Sequence, residues 1–151
     1  MSEYWIDAAT RAVADFQANG RDIAVPQAQL LVADAALLND DPATARAAAD
    51  AALATFRAQG RREWVALARY ALLRCRLADG TPPVVTPREL ARTGAALHAA
   101  GWTVPALDAK LRAARLYLGS GRPDAAAELV RQVRTAGRGP GCSSARRSGR
   151  R

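Results

Sequence analysis

Apolar residues recur every three to four positions through most of the chain, the rhythm of a helix that buries one face. The rhythm is clearest over residues 44–79. There Ala45, Ala48, Ala49, Ala52, Leu53 and Phe56 share a face, and Trp64, Leu67, Ala68, Ala71, Leu72 and Cys75 resume the pattern after a break. Gly60 stands in the break, where a helix ends most readily on a residue free to adopt positive φ. This stretch predicts two helices joined by a tight corner, with small residues on the seam and aromatics at the ends.

The pattern repeats. Gly20, Gly60, Gly101 and Gly137 each close an apolar-periodic segment, at intervals of 40, 41 and 36 residues. Four residues before each stands an apolar anchor: Phe16, Phe56, Leu97 and Val133. Between the glycines comes a second marker, Pro42, Pro83 and Pro123, spaced by 41 and 40. Proline suits a helix start, because its missing N–H would find no partner there. Two independent markers with one period define an internal repeat.

Seven helices are predicted, over residues 3–19, 26–38, 42–59, 62–78, 87–100, 105–118 and 123–135. The first reads as the second helix of a repeat whose first helix is absent. Thr86, Pro87 and Glu89 have the spacing of a capping box. The fold class expected is all-α: an α-solenoid of antiparallel helical hairpins over residues 1–136, followed by a disordered tail, 137–151.

Composition sharpens this picture. Of 151 residues, 37 are alanine and only 5% are aromatic, so the core is expected to form by close approach of helix backbones. Strand formers are few, and the pair Val84–Val85 lies among prolines. The net charge of +8 is concentrated in the tail, where residues 137–151 hold five arginines and no acid. Residues 1–136 carry 17 basic against 14 acidic side chains, a balance of +3. The tail can be read as a basic nucleic-acid-touching arm, or as a tag, a truncation scar or a shifted reading frame. Two isolated cysteines, Cys75 and Cys142, suggest a reduced, cytoplasmic setting rather than a disulfide framework. No stretch approaches the roughly 20 apolar residues of a membrane span.

The third repeat carries a family resemblance. With Gly121 as its turn glycine, Ala114 and Tyr117 fall where tetratricopeptide repeats place a small residue and a tyrosine. Ala126 falls on the alanine of the second helix, with Val130 and Val133 after it. The first complete repeat has Ala33, Ala36, Ala45 and Ala52 at these positions, whereas the second has Leu73 and Arg76 before Gly80. The run FRAQGRREWVALARYALLRCRLADG resembles the tetratricopeptide-like repeats that precede the caspase-like CHAT domain in actinobacterial proteins. The resemblance spans about residues 8–136, without the catalytic domain itself. It implies a scaffold for protein–protein interaction whose first helices line a concave face.

Candidate chemistry is sparse. His98 has no metal-ligand spacing around it. A Cys75–His98 nucleophile and base would need an activated thiol, but Cys75 falls on the apolar seam. The motif GRGPGC lacks a phosphate-loop lysine. Trp5, Trp64 and Trp102 lie near repeat junctions, either as a stacking platform for bases or as plugs where alanine cannot fill space. The arginines carry the partner-binding expectation. Arg69, Arg74 and Arg76 fall on one helix, and Lys110, Arg112 and Arg115 on the first helix of the next repeat. Together they could form a positive groove for an acidic peptide or carboxylate terminus. The competing reading is a solvated charged face with local partners such as Asp79 and Asp108.

The function expected is a non-catalytic interaction module without cofactor, a fragment of a larger CHAT-type repeat protein. Its partner would be a protein or acidic peptide, with no membrane role and nucleic acid reached only through the tail. The alternative is the helical sensor of a transcriptional regulator whose basic tail contacts nucleic acid. A stand-alone hydrolase would need a constellation that the sequence does not display.

Overall fold

The computed structural model describes residues 2–20 and 22–138. Within them the chain forms seven α-helices and no strand. They are α1 (Ser2–Ala18), α2 (Val25–Leu38), α3 (Pro42–Ala58), α4 (Arg62–Asp79), α5 (Pro87–Ala99), α6 (Thr103–Gly119) and α7 (Pro123–Ala136). Each packs on the next in sequence, with the lightest contact between α4 and α5. The largest departure from the sequence reading is at α6, which begins at Thr103 rather than at Pro105. Pro105 is the third helical residue, still within the first turn, where N–H groups have no intrahelical acceptor. The expected tail lies almost wholly outside the described residues, as does Cys142.

The corners share one backbone device. Positive φ occurs at Gly20, Asp40, Gly60, Gly80, Gly101 and Gly121, one at each corner. Gly137 closes α7 with an ordinary helical φ of −74°. At Gly60 the N–H of Arg61 donates to the carbonyl of Phe56 (3.0 Å) and that of Gly60 to Arg57 (3.1 Å). The same pair of bonds closes the corners at Asp40, Gly101 and Gly121. This is the Schellman arrangement, which places the residue after the glycine against the one five positions earlier. The anchors Phe56 and Leu97 occupy that earlier position, and both are fully buried. At two corners the later residue is an arginine lying over an aromatic ring: Arg61 over Phe56 at 5.0 Å and Arg122 over Tyr117 at 5.6 Å. The capping box forms in part. Thr86 Oγ1 accepts from the Glu89 N–H (3.1 Å), while the Glu89 carboxylate pairs with Arg76.

Two cores result, and α4 serves both. Ala68, Ala71 and Cys75 of α4 join Ala33 and Ala36 of α2 and Ala49, Ala52 and Phe56 of α3 in the first. Tyr70 and Leu73 of α4 join Leu90 and Leu97 of α5, Ala109 and Ala113 of α6, and Leu129 of α7 in the second. The alanines let helix backbones approach closely. Gly94 of α5 takes this furthest: a Cβ there would stand 3.2 Å from the Ala106 carbonyl oxygen of α6. Space that alanine cannot fill is taken by aromatics. Phe56 stacks on Trp64 at 5.3 Å, Trp64 meets Trp102 edge-on at 4.8 Å, and Trp102 Nε1 donates to the Glu63 carbonyl (2.8 Å). Trp5, by contrast, is exposed beside Tyr4. Cys75 is fully buried, and burial pushes its thiol up, partly opposed by Arg46 and Arg74. His98 is exposed in the last turn of α5. Among the described residues no helix is long and apolar enough to cross a membrane.

Candidate functional site

Three alternate helices contribute to one groove. From α4 come Leu67, Tyr70, Ala71 and Arg74, a stripe at i, i+3, i+4 and i+7. From α2 come Leu30, Asp34 and Leu38, one turn apart each. From α6 come Val104, Pro105, Asp108 and Arg112. These helical spacings aim every named side chain to the same side of its helix. The hollow they enclose holds about 380 Å³. A neighbouring hollow of about 230 Å³ shares Leu38, Arg74 and Arg112 with it and continues past Leu37 and Leu77. The groove rim keeps large apolar side chains in water: Leu38 is 86% exposed and Val104 is 75% exposed.

The polar groups of the groove are paired. Arg74 bonds Asp34 at 2.7 Å, from α4 to α2. Arg112 bonds Asp108 at 2.9 Å within α6. The Tyr70 hydroxyl donates to the same Asp108 carboxylate and so ties α4 to α6. Arg74 also lies 5.8 Å from the Tyr70 ring. Burial pushes the Tyr70 phenol well above its ordinary range, and the Asp108 charge adds to this, so Tyr70 remains a donor. Burial alone would raise Asp108, but the hydrogen bonds from Tyr70 and Arg112 outweigh it and hold the carboxyl below the usual carboxylate range. Arg112 is lowered by burial and raised more by Asp108, so its net shift is upward. Two arginines face two aspartates, and the groove is electrically balanced.

Of the six basic residues read from the sequence, the structure brings two together here, Arg74 and Arg112. Arg76 is two residues past Arg74, about 200° around the helix. It pairs with Glu89 (2.9 Å) and donates to the Pro83 carbonyl (2.5 Å), fastening α4 to the start of α5. Lys110 stands likewise opposite Arg112, with its Cγ beside Gly94. Arg69 lines a separate hollow between α3 and α4. Arg115 is exposed on α6, one turn beyond Arg112. Of the suggested acidic partners, Asp108 holds Arg112, whereas Asp79 pairs with Arg46 at 2.5 Å. Tyr70, Asp34, Leu38 and Val104 were missed by sequence reasoning. The available signal was the apolar and polar stripe at helical spacing on three alternate helices.

Fold and site together define an all-α protein with a charge-balanced, apolar-walled groove crossing alternate helices. No family model, curated protein or solved structure matches the chain.

Proposed function

We propose that this protein is a non-catalytic interaction module of the helical-repeat kind, holding a segment of a partner protein along the α2–α4–α6 groove. In this reading the helices pair into antiparallel hairpins of a tetratricopeptide-like solenoid. Then α2, α4 and α6 are the first helices of successive hairpins and line its concave face. The observation that carries the proposal is the common groove built from one stripe on each of these helices. On this reading the chain is a scaffold within a larger effector protein of the kind in which such repeats precede a CHAT domain.

The chemistry of the groove refines the partner. An acidic ligand would have to displace Asp34 and Asp108 from Arg74 and Arg112, so the anchors are apolar side chains against Leu38, Leu67 and Val104. Arginine donors left over from the ion pairs serve the ligand's backbone carbonyls. The test is capture of a partner by the immobilised chain, with identification of the partner and its rebinding in purified form. The double variant Leu38→Asp, Val104→Asp should lose that partner, because both side chains are exposed and the fold does not need them. Equal recovery by both chains would remove the groove as the working surface.

A further inference from the structure

A second hollow, about 430 Å³, opens between the end of α3 and the first two turns of α4. Val65 and Ala66, both half-buried, give it an apolar lining above the fully buried Phe56, and Arg57, Arg62 and Arg69 line it with positive charge. Among the described residues no carboxylate lines it. All three arginines are exposed, and none takes part in an ion pair among the described residues. The groove on α2, α4 and α6 sets two cations against two anions; this hollow sets three against none. Residues 62, 65, 66 and 69 form one stripe of α4, and Glu63 of the first turn stands about 100° off it. Arg61, next to them, has contacts of its own. Its guanidinium lies over Phe56 and Trp64, each at 5.0 Å, and donates to the Ile23 carbonyl at 3.0 Å. The start of α4 has no side-chain cap, so the positive end of the helix adds to the field.

We propose that this hollow binds an acidic peptide segment in which carboxylates flank apolar side chains. Arg62 and Arg69 stand seven residues apart, about 10 Å along the helix. That is the span of roughly three residues of extended chain. Carboxylates at the two ends of a four-residue stretch, three residue steps apart, reach the two guanidiniums, which bind them in bidentate fashion. The intervening side chains meet Val65 and Ala66, and Arg57 takes a further carboxylate from the α3 side. The site is independent of the α2–α4–α6 groove, since the two share no lining residue.

The experiment is fluorescence polarisation of the full chain with a labelled peptide of two leucines between pairs of glutamates. A peptide with glutamine in place of glutamate serves as control, and inorganic tripolyphosphate as a rival anion. The glutamate peptide is expected to bind, to weaken as salt rises, and to lose affinity roughly tenfold with Arg62→Gln or Arg69→Gln. Helicity and melting temperature should hold in these variants, because the side chains are exposed. The groove variant Leu38→Asp, Val104→Asp should bind this peptide unchanged, which separates the two sites. Equal binding of the glutamine peptide, or unchanged affinity in both arginine variants, overturns the proposal. So does binding of tripolyphosphate without binding of the peptide.

Discussion

At the scale of single residues the molecule depends on what is small. Ala52 is fully buried in the first core and Ala114 is 4% exposed in the second. Replacing either with Leu should overpack the seam and cost roughly 1–3 kcal/mol. Denaturant unfolding measures this, and unchanged midpoints in both variants would mean that the seams yield. The alanine seam was legible because alanine recurred at helical spacing beside Leu53 and Phe56. The groove was legible only in part. Arg74 and Arg112 stood out as charges, but grouping Arg76 and Lys110 with them followed sequence proximity rather than the 100° turn per residue. Tyr70 gave no sign of its role, because its partner Asp108 lies 38 positions away and meets it only once α4 and α6 pack.

At the scale of elements the corners decide where each helix stops. Gly60 and Gly101 could be read from the sequence, since glycine followed an apolar anchor by four residues. Asp40 could not, because an aspartate in a left-handed corner looks like any polar loop residue. Its φ of 56° is one that a side chain disfavours. Asp40→Gly should therefore raise stability by about 0.5 kcal/mol, the relief of strain being partly offset by the freer unfolded chain. Gly60→Ala, at φ 67° and with open space around its Cβ position, should cost about 1 kcal/mol from backbone strain alone. Opposite signs for the two substitutions in thermal unfolding are the expected result. Equal signs would show that the corner bonds do not fix the backbone there.

At the scale of the whole molecule α4 joins the two cores, and the contacts of Tyr70 and Asp108 tie it to α6. Asp108 is held below its ordinary value, so its contribution is present above the unfolded carboxylate pKa of about 4 and is lost as pH falls through the lowered native value. Asp108→Asn should be less stable than the natural chain at neutral pH, with the difference shrinking as the pH falls below about 4. Melting curves from neutral to acid pH follow this, and a gap independent of pH would show that the charge is not what joins the helices. The evenly placed left-handed corners impose a further rule, one about chain length. They fall at residues 20, 40, 60, 80, 101 and 121. Deleting one residue inside a helix turns all that follows in it by about 100° and brings polar positions into the seam. Length can change without loss of phase in the connection of residues 80–86, ahead of Val85, which is buried in the second core, or by whole pairs of corner-to-corner units. The chain is thus metered like a ruler: insertions and deletions are admissible only in whole pairs of graduations, or at the one joint where the scale is interrupted.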